Sequence, residues 1–389
     1  MNKIVVASDS FKGSATSAQI AEAVAEGVCG VMPHCQVVKV PVGDGGEGTV
    51  GALVAATGGR LVERRVQGPL GGKVDAAYGI LPGGKAVIEL ASAAGLALLS
   101  PEERDPLHTT TYGVGQLISE ALTHGCRDIL LCIGGSATND GGTGILSALG
   151  YIFRDGTGNV VEPCGASLGD IHSIDTSGAM KELAECTFTV ACDVDNPFFG
   201  PEGAARIFAA QKGADAAAVE LLDSGLQHFA QVLFKETGID VTTIPGAGAA
   251  GGVGGGLAAM LGACLRPGIE MVLDTIGFDR ILDGADLVIT GEGSLDAQTV
   301  MGKTPCGVMR RARRKGIPVI AIGGSISDTS ALNEAGFTAI FPLLPYPASL
   351  AEAMHKEFTI DNVRRTAEQL TRTINAFCNR CDGDDPRKP

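Results

Sequence analysis

Tryptophan is absent from the 389 residues, and aromatic side chains make up only 4% of them. Packing must then rest on Ala, Val, Leu and Ile, which suit close contact between helices and a parallel sheet. The six histidines, at 34, 108, 124, 172, 228 and 355, show no HExxH or other ligand spacing, so a histidine metal centre is not expected. No GxSxG elbow occurs, since Ser136 in GGSATNDGG lacks the following glycine, and acyl-transfer hydrolysis falls behind phosphoryl transfer. No stretch of about 20 apolar residues and no signal-peptide core is present, and MNKIVVAS enters a strand directly, which makes cytoplasm the expected location. Basic residues are outnumbered, 30 against 44 acidic, for a net charge of −14. That balance argues against nucleic acid or an anionic membrane as partner and favours a small molecule, leaving self-association open. The eleven cysteines are an odd, scattered set, read as buried cytosolic thiols. Cys378 and Cys381 have half of a zinc-site spacing, but no second pair accompanies them and a polar chain end is the preferred reading.

Glycine, by contrast, is abundant at 56 residues and clusters at the ends of apolar runs. Six such runs stop in turns of small and acidic residues before a helical pattern: ASDSFKGS (7–14), VGDGGEGT (42–49), CIGGSATNDGGTG (132–144), CDVDNP (192–197), ITGEGSLD (289–296) and IGGSISD (322–328). Strands feeding helices through such turns imply parallel βαβ units, whose ligands bind beyond the strand carboxyl ends. Between residues 61 and 90 the pattern changes to LVERRVQ, VDAAYGI and KAVIEL separated by GPLGG and LPGG, an antiparallel meander. The length exceeds what one core usually organises. The reading is therefore two α/β domains. Residues 1–105, joined by 336–389, form a mixed sheet with the meander, and residues 106–335 form a flavodoxin-like parallel sheet. A helix is expected over 16–30, another over 46–57 and a terminal one over 349–378.

The six turns carry Asp9, Asp44, Glu47, Asp140, Asp193, Asp195, Glu292, Asp296 and Asp328 against Lys12 and Lys303. Bare phosphates would be repelled there unless a divalent cation bridges them or the carboxylates accept hydrogen bonds from substrate hydroxyls. The pattern suggests Mg-nucleotide with a hydroxylated acceptor, although each acid taken singly is as well explained as a helix cap. Gly246-Ala-Gly248-Ala-Ala-Gly251 satisfies GxGxxG with Glu270 downstream, but IDVTTIPG before it is a poor buried strand, and a dinucleotide fingerprint ranks second to a glycine-rich loop against a ligand or helix. Gly302-Lys303-Thr304 ends like a Walker A loop, yet the first required glycine would fall at Ala297, so it is not a P-loop, though Lys303 can still reach a phosphate.

ASDSFKGS (7–14), VPVGDGGEGT (40–49), GGSATNDGG (134–142), CDVDNP (192–197), GAAGGVGGGL (248–257) and TGEGSLDAQTVMGKTP (290–305) together resemble the bacterial type I glycerate kinases, from residue 1 to about 375. The resemblance implies ATP-dependent phosphorylation of D-glycerate to 2-phosphoglycerate in glyoxylate, glucarate and galactarate catabolism. It also implies a flavodoxin-like domain paired with a restriction-enzyme-like one. Residues and resemblance together assign Lys12 to charge stabilisation and Asp193 to accepting the hydroxyl proton, with Asn196 orienting. Glu292 and Asp296 would hold Mg²⁺, and Lys303 with Gly251, Gly252, Gly254 and Gly255 the nucleotide. Ser10, Asp44, Asn139 and Asp140 would bind glycerate or shape its cleft. Phosphorylation at the 3-hydroxyl, a nicotinamide-dependent hydroxy-acid dehydrogenase and a noncatalytic sugar-acid sensor are the alternatives.

Overall fold

The computed structural model describes residues 1–11, 13–296, 299 and 302–382. Its strands are β1 (Lys3–Val6), β2 (Gln36–Lys39), β3 (Arg60–Gln67), β4 (Lys73–Leu81), β5 (Lys85–Glu89), β6 (Asp128–Cys132), β7 (Ile152–Arg154), β8 (Ser173–Asp175), β9 (Thr187–Ala191), β10 (Cys264–Arg266), β11 (Leu287–Leu295), β12 (Val319–Ile326) and β13 (Ala339–Pro342). The chain divides into two compact units, Met1–Asp44 with Val272–Pro389, and Gly45–Met271.

The first unit holds a wholly parallel sheet in the order β13-β12-β11-β1-β2. The runs KIVV in β1 and LVIT in β11 are apolar without alternation because both faces of such a sheet are buried. Between β1 and β2 runs the helix Ser17–Cys29, opened by a reciprocal capping box of Thr16 and Gln19. Its buried face carries Ile20, Val24 and Val28, each contributing about 1.5–3 kcal/mol by burial. Gly27 allows the terminal helix, Lys356–Asp382, to come close; a Cβ there would lie 2.4 Å from the Arg364 carbonyl oxygen. Numbered within this unit, the strand order is 2-1-3-4-5, the flavodoxin-like doubly wound order, and residues 45–271 are inserted between its second and third strands.

The second unit holds a six-stranded mixed sheet, β10-β9-β6-β5-β4-β3, with β7 and β8 as a separate antiparallel pair. The expected meander is β3-β4-β5, and β5 then pairs in parallel with β6, Ala86 opposite Ile129. Leu117, Leu131, Phe198, Phe229 and Val253 belong to one continuous core over this unit.

The fold class agrees with the sequence reading, whereas the allotment of segments to the two domains needs correction. The amino-terminal strands belong with β11, β12 and β13, and the meander belongs with β6, β9 and β10. An apolar run announces a strand but not its partner; β1 pairs with β11, Val5 opposite Val288, across the whole insertion. The expected helices at 16–30 and 46–57 are present as Ser17–Cys29 and Thr49–Thr57, and the terminal one is divided into Leu350–Ala353 and Lys356–Asp382. Among the described residues no helix is long and apolar enough to cross a membrane.

Candidate functional site

In the first unit the strand order reverses between β1 and β11, and their carboxyl ends carry the chemistry. Asp9 follows β1, and its backbone N–H donates to the Gly291 carbonyl at 3.0 Å. Its Oδ1 accepts from the Ser10 amide at 2.6 Å and its Oδ2 from Thr304 Oγ1 at 2.9 Å. Glu292, on β11, is 8% exposed and accepts from Thr299 Oγ1 at 2.5 Å. Burial raises its pKa to about 7, against the lowering effects of Thr299 and Lys303.

Lys303 is the N-cap residue of the helix Thr304–Arg314, with proline in its first turn. Its Nζ stands 3.5 Å from Asp296 Oδ1 and 3.9 Å from Glu292 Oε1. The ammonium and the positive helix end lie together, which favours an anion such as a phosphate beside them. Glu292, Lys303, Asp9, Ser10 and Asp44 all line one cavity of about 540 Å³. Lys12 lies outside the described residues.

A magnesium ion typically takes one or two protein carboxylates, with substrate phosphates and water completing its shell. Asp296 and Glu292, both held within 4 Å of one cationic nitrogen, fit that donor set. Among the described residues no three His, Cys, Asp or Glu side chains converge as an all-protein cage.

In the second unit, the turn after β6 is organised by Asp140. It is fully buried; Oδ2 accepts from the Thr111 amide and hydroxyl, both at 2.8 Å, and from Gly144 N at 3.2 Å, and Oδ1 from Gly142 N at 3.1 Å. Burial pushes its pKa up and these bonds oppose the shift. Both oxygens are committed to the protein, so Asp140 clamps its loop, which accords with the second of its two expected roles, shaping the cleft. Its neighbour Asn139 is the reverse case: it is fully buried, and neither amide atom has a hydrogen-bond partner. Lys212 reaches the same turn, donating to Ser136 Oγ at 2.8 Å and the Thr138 carbonyl at 2.7 Å. Burial lowers its pKa to about 7, with Asp140 acting in the opposite sense.

Asp193 is exposed beyond β9, and its Oδ1 accepts from Gly268 N at 2.9 Å, at the start of the helix Gly268–Thr275. Asn196 donates its amide to the Glu202 carbonyl at 2.8 Å. Gly251, Gly252, Gly254 and Gly255 are buried in packing. A Cβ on Gly251 would meet the Thr138 carbonyl oxygen at 2.2 Å, and one on Gly255 would meet the Phe198 ring at 2.6 Å. Their absent side chains serve close approach of protein to protein. The segment before Gly246 is a 3₁₀ turn, Val241–Thr243, so the strand that a dinucleotide fingerprint needs is not there. The cysteine expectation is corrected in part: Cys29 and Cys264 are exposed, while Cys35, Cys126, Cys132 and Cys306 are buried. The side chains of Cys378 and Cys381 lie outside the described ones.

The structure thus gathers Ser10, Asp44, Glu292, Asp296 and Lys303 in one unit, and Asn139, Asp140, Asp193 and Asn196 in the other. Thr299, Thr304, Ser136 and Lys212 carry no role in the sequence motifs. The threonine after Lys303 was visible as the end of GKT; Lys212, in the alanine-rich run AAQKGADAAA, gave no signal.

The profile of the Glycerate kinase family matches residues 4–375. The chain is 48% identical over 370 residues to "Glycerate kinase" of Bacillus cereus (strain ATCC 10987 / NRS 248), covering 95% of this chain and 97% of that one. It is 45% identical over 374 residues to "Glycerate 2-kinase" of Escherichia coli (strain K12), covering 96% and 98%. A crystal structure from Salmonella typhimurium LT2, assigned as a glycerate kinase 2, superposes with a TM-score of 0.89 at 44% identity, covering 97% of this chain and 99% of that one.

Proposed function

This chain belongs to the glycerate kinase family, and from that premise we propose that it transfers the terminal phosphoryl group of ATP to the 2-hydroxyl of D-glycerate, giving 2-phosphoglycerate. The observation that carries the reading is Lys303 facing Glu292 and Asp296 at the β1/β11 crevice. Phosphoryl transfer needs positioning and charge neutralisation more than covalent chemistry, and an ammonium, a helix amino terminus and paired carboxylates provide these.

Lys303 holds a phosphate and stabilises charge as the bond to the leaving group lengthens, and Lys12 stabilises charge on the transferring phosphoryl group or the glycerate carboxylate. Glu292 and Asp296 would hold Mg²⁺, which when bound neutralises the phosphate oxygens. Thr304 and Ser10 fix the Asp9 carboxylate at the crevice. Ser10, Asp44 and Asn139 bind glycerate oxygens; the unsatisfied Asn139 amide supports its share of this task. Asp193 accepts the proton of the attacking hydroxyl, with Asn196 orienting. The pathway is catabolism of glyoxylate, glucarate or galactarate, and the setting is the cytoplasm, supported by nine described cysteines that are all free.

A coupled assay for ADP release with D-glycerate and Mg²⁺ tests the reaction, and phosphorus NMR of the product separates the 2- from the 3-hydroxyl. Absence of glycerate-dependent ADP release removes the kinase reading.

A further inference from the structure

The cavity of about 540 Å³ in the first unit is lined by two chemically distinct groups of residues. One is the cluster of Asp9, Glu292 and Lys303 at the strand termini. The other is built by the segment after β13 and the head of the terminal helix: Leu343, Leu344, Ala348, Met354 and Phe358. D-glycerate, a three-carbon acid with oxygen on every carbon, has nothing to place against such a wall. A nucleotide has an apolar, flat ring at one end and phosphates at the other, and the cavity volume falls in the range of about 300–1,000 Å³ typical of cofactor sites.

A second observation lies in the wall itself. Asn362 is 4% exposed and lines the cavity. Its neighbour one turn earlier, Thr359, commits its hydroxyl to the carbonyls of Ala353 at 3.0 Å and His355 at 3.3 Å. Among the described residues the Asn362 amide makes no hydrogen bond of this kind. An amide at a cavity wall with donor and acceptor both unused can pair with a ligand that supplies their complements. The primary amide offers one donor beside one acceptor, the complement of the adenine edge, where an amino group adjoins a ring nitrogen.

We propose that the adenine ring of the ATP donor packs against this apolar wall, with Asn362 reading its edge and the phosphates directed toward Lys303. The inference rests on the kinase reading and adds to it the place of the base and the residue that selects it.

The test compares ATP with inorganic tripolyphosphate, which keeps the phosphates and lacks the base, by calorimetric titration of the full chain with Mg²⁺ and without glycerate. Ala348→Trp fills the space beside the apolar wall, and Asn362→Leu removes the amide at nearly constant volume. Each variant is expected to weaken ATP by about tenfold or more while tripolyphosphate affinity stays within about twofold of the parent. ATP affinity within about twofold of the parent in folded variants overturns the assignment, as does a parent chain that binds tripolyphosphate as tightly as ATP. Should Ala348→Trp fail to fold, Asn362→Leu and the parent comparison carry the test. A parent that turns over glycerate with ATP while the variants bind ATP normally loses only the base site. A parent without glycerate-dependent turnover loses the kinase reading itself.

Discussion

Thr304 donates its hydroxyl to Asp9 Oδ2 over 2.9 Å, joining positions 295 residues apart in the chain. Both side chains are buried, Thr304 fully and Asp9 to within 6%. The bond ties the turn after β1 to the helix that begins beside Lys303, and so fixes the acidic side of the crevice relative to its basic side.

Thr304→Val keeps the shape and removes the donor. A hydrogen bond to a charged group is worth about 1.5–3 kcal/mol, so a loss of that order in chemical denaturation is expected. Turnover should fall with it, because one of the bonds that fix the Asp9 carboxylate is lost. An unchanged midpoint and normal activity would show that Asp9 is fixed by other contacts.

Lys303→Met should leave the fold intact, since the side chain is about a third exposed and serves no core. Loss of one preorganised charge at the transferring group lowers kcat by about 10²–10³. The KM for ATP should rise while that for glycerate changes little. A variant with kcat near the parent value places the phosphates away from Lys303.

Asp193→Asn tests the proton acceptor. Its amide oxygen can still accept from Gly268 N, so thermal stability should hold. A general base contributes about 10²–10⁴ in rate, and turnover should drop on that scale. Retention of near-normal kcat removes Asp193 from the role.

Lys212→Met addresses the buried amine in the second unit. The folded pKa of about 7 lies below the ordinary value of 10.5, so between them the unfolded chain binds the extra proton and folding releases it. Parental stability attributable to this group is therefore greatest above 10.5, declines as pH falls toward 7 and is constant below, at on the order of 1 kcal/mol per pH unit. Urea titrations at pH 7, 8 and 9 should show the parent gaining on the variant as pH rises. A constant difference would mean that the amine stays protonated in place.

Much of this molecule can be read in its residues, because local signals determine local structure. KIVV and LVIT announce strands, Thr16 with Gln19 announces a helix start, and GPLGG and LPGG announce the meander. Partnership is a different matter. Nothing in KIVV indicates that its neighbour is LVIT, 283 positions later, rather than a strand in the next hundred residues. The site divides in the same way. Lys303, Glu292 and Asp296 were recognisable because helix ends and strand ends carry characteristic residues. The glycines at 251–255 carry the same residue type for another reason, the passage of one backbone against another, and only three-dimensional neighbours separate the two causes. Lys212 was illegible because a lone amine in the alanine-rich run AAQKGADAAA belongs to no motif and reads as surface.

The insertion between β2 and β11 has a consequence for biosynthesis. As the chain leaves the ribosome, the first two strands emerge without the neighbour that completes their sheet, since residues 45–271 must be made first. At about 5–20 residues per second that interval is on the order of tens of seconds, and domains generally fold as units during it. The inserted unit, continuous in sequence, can reach its native state while KIVV and its companion strand wait, which makes this early edge the place where chaperone protection matters most.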